Sequence, residues 1–153
     1  MESKTFLQPN PESWVKTFRF FTPIRVRYCE TDLLGHVNNV SYFMYFEQGR
    51  IDYIEHLGIT DQLFGEDRMT VVADLQCTYL KPLYLRDPIQ LGVRVAKLGR
   101  SSVDMEYAVM VNDELRAAGR GTIVLMDKKT GRGTAIPNHL REIIRAFEGE
   151  HLH

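Results

Sequence analysis

Apolar residues between Phe18 and Tyr28 alternate with a polar side that carries Arg19, Thr22, Arg25 and Arg27, which predicts a strand with one buried face. Pro23 predicts that this strand begins late or lies at a sheet edge, because proline cannot donate to a ladder. Periodicity vanishes from Glu30 to Asn39, where Thr31, Asp32, Gly35, His36, Asn38 and Asn39 gather in a loop. A helix of about 18 residues is expected next, opened by Asn38 or Asn39 as a cap and closed by Gly58 in the left-handed region. Val40, Phe43, Met44, Ile51 and Ile54 form one stripe at helical spacing, and Tyr42, Tyr45, Phe46 and Tyr53 make the rest so apolar that burial on most sides is expected. Thr60 and Asp61 start a short second helix through Leu63 and Phe64.

Most of the remaining chain reads as strand: residues 70–80, 89–96, 102–111 and 115–127, each with one buried face. Turns fall at 81–88, 98–101 and 112–113, the last two short enough for hairpins. Ala117, Ala118, Gly119 and Gly121 leave room on the last strand for a close approach, and the long helix is the natural occupant. Pro137 opens a final helix whose Leu140, Ile143, Ile144 and Phe147 share one face. This order predicts one α+β domain over residues 1–153, a curved antiparallel five-stranded sheet wrapped around a long central helix. Residues 1–16 form an N-terminal extension and 137–148 the C-terminal helix. The outer face of such a sheet needs either a partner or polar residues.

Composition narrows the function classes. Nineteen basic and twenty acidic residues give a net charge of −1, so no overall field collects nucleic acid, and a polyanion would have to meet a small local patch. Cys29 and Cys77 are too few for a disulfide framework and too far apart for a zinc site. They read as reduced thiols, with a single bridge between them left open. The residues from Met1 to Trp14 lack the apolar block of a signal peptide, and no long uncharged apolar stretch spans a membrane, so the cytosol is the expected location.

The run from Arg27 through Tyr28, Cys29, Glu30, Thr31, Asp32, Leu33, Leu34, Gly35, His36 and Val37 to Asn38 and Asn39, followed by Tyr42, by Tyr45-Phe46-Glu47 and by Arg50, resembles a known active-site signature. It is that of hotdog-fold acyl-CoA thioesterases of the 4-hydroxybenzoyl-CoA thioesterase type. The likeness continues through Lys97 to Ser102 at a strand turn and Ala118-Gly119-Arg120-Gly121 in the last strand, covering roughly residues 18–128. The resemblance implies a hotdog fold with the long helix as its filling, hydrolysis of an acyl-CoA to acid and coenzyme A without cofactor or metal, and a homodimer or homotetramer with sites at the subunit interface. The residues after Gly35 leave the acyl group open.

By the same resemblance Asp32 is the catalytic carboxylate, either as general base toward water or as nucleophile; composition alone makes it an ordinary turn residue. The backbone amide of Asn39, at the start of the helix and aided by its dipole, is the donor to the thioester oxyanion, while Asn38 and Tyr42 contact substrate. His36 lies near Asp32, but His139, His151 and His153 are remote in sequence, so a metal centre is not expected and His36 is read as an orienting or loop-organising residue. Glu47, counted with the substrate-binding residues, is either paired with Arg50 across one turn or partly buried with a raised pKa and hence a candidate acid/base second to Asp32. Lys97, Gly99, Arg100 and Ser101 form the turn that the resemblance assigns to the coenzyme A phosphates. No Gly-x-Ser-x-Gly elbow supports a serine hydrolase. The competing class is a non-catalytic hotdog module that binds an acyl thioester or serves assembly.

Overall fold

A computed structural model describes residues 6–153, so the first five residues of the expected N-terminal extension lie outside the described residues. Four strands of alternating pattern follow one another and pair in antiparallel fashion: β2 (Arg68–Tyr79), β3 (Ile89–Leu98), β4 (Ser102–Val111) and β5 (Glu114–Asp127). With β1 (Phe20–Ile24) they make a five-stranded sheet in the order β1-β3-β4-β5-β2. The edge position expected from Pro23 is found, with Pro23 opposite Gln90 in the outermost ladder. Asn112 and Asp113 turn the β4–β5 hairpin with φ of 49° and 64°, the pair of positive values that matches strand twist in a two-residue loop.

The helix α2 (Ser41–Leu57) lies on the concave face and ends at Gly58 with φ of 70°. Its buried face is Tyr42, Tyr45, Phe46, Gly49, Arg50, Tyr53 and Ile54 rather than the stripe of Val40, Phe43, Met44, Ile51 and Ile54 expected from spacing. Of that stripe, Val40 is 59% exposed and Met44 50% exposed. Two apolar stripes compete on this helix, and close contact decides between them. A Cβ at Gly49 would lie 2.4 Å from the Leu91 side chain, so this is the face that can sink deepest against β3. On the opposing strand, Gly119 faces Phe46, whose ring stacks on Tyr107 with centroids 4.6 Å apart. Tyr107 is fully buried inside one chain.

The convex face was expected to require a partner or polar residues, and the chain itself supplies the cover. Residues 6–18, including α1 (Pro11–Val15), lie across it and bury Leu7, Trp14 and Phe18 with Ala108, Met110 and Ala118. Arg94 and Glu106, on the outward side of β3 and β4, are buried beneath this strap. Glu106 Oε2 accepts from Arg94 Nε and from the Trp14 indole N–H, both at 2.8 Å. The central strands are thus buried on both faces, not on one. The helix α3 (Thr60–Leu63) and the C-terminal helix α4 (Asn138–Glu148) close the end of the sheet distant from Tyr79. Fully buried Glu148 holds α4 to the core, its Oε1 accepting from the Tyr53 hydroxyl at 2.6 Å and the Val95 amide at 3.0 Å. Among the described residues no helix is long and apolar enough to cross a membrane.

Gly119→Ala places a methyl group 2.5 Å from the Phe46 ring, which is held by Tyr107 and has nowhere to retreat. Overpacking of this kind costs about 1–3 kcal/mol, so the variant is expected to unfold at correspondingly lower denaturant with an unchanged slope. An equilibrium unfolding curve measures it.

Candidate active site

The segment between β1 and α2 is a closed loop rather than a free connection. Asp32 N–H donates to the His36 carbonyl at 2.8 Å and Gly35 N–H to the Asp32 carbonyl at 3.0 Å, which makes residues 32–36 a tight turn with Gly35 at φ of 76°. Val37 N–H then donates to Leu83 O and Asn38 N–H to Glu30 O, both at 2.7 Å, tying the loop to the β2–β3 connection and to its own beginning. Glu30 also accepts from the Arg27 amide and from the Tyr45 hydroxyl, so it anchors both ends of the loop and α2 at once.

Asp32 does what a turn residue does and retains the means to do more. Its Oδ1 accepts from the Leu34 amide at 2.8 Å and the His36 amide at 3.2 Å, which fixes the carboxylate; among the described residues Oδ2 has no partner. The carboxylate, His36, Val37, Asn39, Tyr42 and Tyr79 line an open cleft of about 390 Å³ together with Leu80, Lys81 and Pro82. His36 packs edge-on to Tyr84, with centroids 5.2 Å apart, and its backbone bridges the same residue. Among the described residues no three His, Cys, Asp or Glu side chains converge to hold a metal ion.

The start of α2 faces the same cleft. Asn38 Oδ1 accepts from Val40 N–H at 2.9 Å, so of the two candidate caps Asn38 is the one in use, and it acts just ahead of the helix proper. No described residue accepts from the Asn39 amide, whereas its carbonyl accepts from the Tyr79 hydroxyl at 2.7 Å. Tyr79 in turn packs edge-on to Tyr42 at 4.8 Å. Sequence reasoning passed over Tyr79 as a site residue; only its place at the end of a Val- and Thr-rich strand hinted at it. Burial, followed by neighbouring Cys77, pushes the Tyr42 and Tyr79 phenols up to about 12, and burial pushes the Cys77 thiol up to about 12 as well. All three stay protonated at neutral pH, so these phenols can donate hydrogen bonds in the cleft but cannot serve as bases.

Two expected site features lie elsewhere. Glu47 is exposed and makes no ion pair among the described residues, while Arg50 turns inward, so neither the Glu47–Arg50 pair nor a buried Glu47 is found. They sit three positions apart, but the deep seating of α2 takes one inward and leaves the other outside. Arg50 instead lies beside Tyr107 at the edge of a small apolar cavity under the far half of α2, with its Nη1 unpartnered among the described residues. The turn of Lys97, Gly99, Arg100 and Ser101 stands at the other end of the sheet. Between Ala117, opposite Tyr79, and Ile123, opposite Val103, β5 advances about 20 Å at ~3.3 Å per residue. The Gly99 and Arg100 carbonyls there accept from the Arg141 guanidinium of α4. Within one chain this turn does not meet Asp32.

Comparison with known proteins agrees with this architecture. The Bacillus subtilis protein YsmA is 31% identical over 134 residues, covering 87% of this chain and 90% of its own length. The long-chain acyl-CoA thioesterase FadM of Escherichia coli is 26% identical over 79% of this chain and 93% of its own. The crystal structure of a Thermus thermophilus thioesterase complexed with coenzyme A and zinc superposes with a TM-score of 0.77 at 38% identity, over 88% of this chain and 98% of that one. The profile of the Thioesterase-like superfamily matches residues 26–144, from just after β1 into α4, and the chain with its five-stranded sheet and long helix belongs to that hotdog superfamily.

Proposed function

We propose that this protein hydrolyses the thioester of an acyl-CoA, with Asp32 supplying the carboxylate and the Asn39 amide receiving the oxyanion. The observation that carries the reading is the meeting of a fixed carboxylate, an amide free of partners and the positive end of a 17-residue helix in one open cleft. Thioester hydrolysis asks for those parts. In the general-base route Asp32 takes a proton from water, the hydroxide adds to the acyl carbon, and the charge that develops on oxygen is met by the Asn39 N–H and the helix dipole. Collapse of the tetrahedral species breaks the C–S bond and releases the thiolate of coenzyme A. In the nucleophilic route the carboxylate adds to the acyl carbon first, the tetrahedral adduct expels the thiolate to leave a mixed anhydride, and water then cleaves the anhydride. Both routes need the same ionised carboxylate. Tyr79, by gripping the Asn39 carbonyl, fixes the peptide that follows the receiving N–H and so steadies Asn39 from one side.

We further propose that the active form is at least a dimer. Leu33, Leu34, Val40, Met44 and Val72 are exposed, and β2, which carries Val72, is an open edge of the sheet that a second copy of this chain could meet. Light scattering at micromolar concentration is expected to give a multiple of 17.7 kDa; a mass near 17.7 kDa overturns the assignment.

Asp32→Asn preserves the turn, since its amide oxygen still accepts from the Leu34 and His36 amides, but removes the charge both routes need. Turnover of acyl-CoA is expected to fall about 10² to 10⁴-fold with little change in substrate binding or melting. Glu47→Gln, at an exposed position, is expected to stay within about 0.5 kcal/mol of the parent in stability and to keep its turnover. Thiol release read with a thiol-reactive dye decides the matter; an active Asp32→Asn protein takes the catalytic role away from Asp32, and a parent that binds acyl-CoA without releasing thiol moves the protein to the class of binding modules. Tyr79→Phe deletes one hydrogen bond, worth about 0.5–1.5 kcal/mol. Its loss is expected in kcat more than in KM, because the oxyanion forms after substrate has bound.

A further inference from the structure

Two arginines are buried among the described residues, and only one of them has a counter-charge. Arg94 meets Glu106 at 2.8 Å. Arg50, 7% exposed, has no acid within ion-pair distance among the described residues, and its Nη1 has no hydrogen-bond partner there. Glu47, three positions earlier, is out in solvent. Glu148, the buried acid of α4, accepts from the Tyr53 hydroxyl and the Val95 amide, and the cations near it are Arg94 and Arg19. The Tyr107 phenol beside Arg50 is neutral and balances no charge. A guanidinium taken out of water without an anion is held at a cost, and it does not escape that cost by losing its proton. An anion that settles beside it removes the penalty.

The space for one adjoins it. Arg50 stands at the edge of a cavity of about 50 Å³ under the far half of α2, whose wall is otherwise almost wholly apolar: Ile54 of α2, Val95 of β3, Met105 of β4, and Leu140 and Ile144 of α4. Leu63 of α3 and Thr70 of β2, both half-buried wall residues, mark the side nearest solvent. This cavity shares no wall residue with the Asp32 cleft. Arg50 lies roughly 16 Å along the chain of α2 from Asn39 at ~1.5 Å per residue, and the stacked rings of Phe46 and Tyr107 lie under the helix between them. A water needs roughly 10–15 Å³ of such space, so the cavity takes a handful of non-hydrogen atoms. One positive group, aliphatic walls and that volume select among anions. Chloride would leave the walls uncovered, phosphate would press unsatisfied oxygens against them, and a long fatty acid would not fit.

We propose that this cavity binds a short-chain monocarboxylate, with the carboxylate on the Arg50 guanidinium and the alkyl tail against Leu140 and Ile144. Arginine suits the first task because its fork donates in pairs to a carboxylate, and the aliphatic wall suits the second. An acid of this kind is what hydrolysis of a short acyl thioester releases, and the site stands apart from the reacting centre.

The test uses sodium propionate as the probe. Propionate is expected to raise the Tm of the parent saturably. Sodium chloride at the same ionic strength, propionamide, which has the same size and tail but no charge, and hexanoate, which is too long, are not expected to do so. Arg50→Met removes the charge and keeps an apolar stem. It is expected to melt no lower than the parent, since an unpaired buried charge has gone, and to bind propionate about 10- to 100-fold more weakly by calorimetry, the worth of a hydrogen bond to a charged group. Ile144→Phe leaves Arg50 in place and fills the tail space, and is expected to lose the propionate response as well. The absence of a propionate shift in the parent, an equal shift from propionamide or from chloride, or propionate affinity unchanged in Arg50→Met overturns the proposal; the last result would place the acid in the Asp32 cleft instead. None of these readouts involves turnover. Propionate binding at Arg50 without any thiol release would leave this site standing and sink the hydrolase reading, and hydrolysis in a protein indifferent to propionate would do the reverse.

Discussion

The structure depends on how closely α2 can approach the sheet. Two missing side chains set that distance: Gly49 lets the helix backbone rest against Leu91 and Val93, and Gly119 receives the ring of Phe46. Once the helix is at that depth, Tyr42, Tyr45 and Tyr53 are carried inward with it, and its N-terminus is brought to the end of the sheet where Tyr79 and Leu83 wait. The loop from Arg27 to Asn39 then has fixed ends, and its own hydrogen bonds do the rest. Asp32 and Asn39 line one cleft because each is held to this frame, one through its turn and the other through its carbonyl on the Tyr79 hydroxyl.

A sheet that grips a helix on one side has a second side to protect. Residues 6–18 meet that need without a second subunit, and their chemistry is mixed: apolar burial of Leu7, Trp14 and Phe18 surrounds a largely buried ion pair. Arg94 and Glu106 are each less than a tenth exposed, and the indole N–H of Trp14 supplies a second hydrogen bond to the buried carboxylate beside that of Arg94. A pair in such surroundings adds little stability of its own. Breaking it leaves a buried charge alone, at a cost of about 3–5 kcal/mol, so the strap, β3 and β4 are bound to keep their present register.

Hydrogen bonding and charge are distributed unevenly over the two ends of the sheet. The end near Tyr79 holds the fixed carboxylate, the helix dipole and protonated phenols. The far end is closed by α4, by Glu148 in the core and by the carbonyls that Arg141 binds. The cleft at the first end stays open, and there the proposed substrate would approach within a single chain.

The sequence alone determined the parts that depend on local pattern. Period-two alternation identified the strands from residue 70 to 127, the Asn112–Asp113 pair the hairpin, and Gly58 the helix end. The dense polar run before α2 is found as a loop, and Asp32 and Asn39, which the family resemblance singles out, both line its cleft. These are legible because propensity and turn chemistry act between neighbours. What the tertiary structure decided involves partners distant in the chain. Which stripe of α2 faces inward was settled by Gly49 against β3, which is why Arg50 went in and Glu47 stayed out although they lie three residues apart. Tyr79 became part of the site because the end of β2 falls beside Asn39, forty positions earlier. Arg94 and Glu106 were buried because a segment some eighty to ninety residues away folds over them, and the turn at Lys97 to Ser101 was carried away from Asp32 by the length of a strand. Alternation records that a side chain points to one face of a sheet; what covers that face is decided only when the whole chain has closed around it.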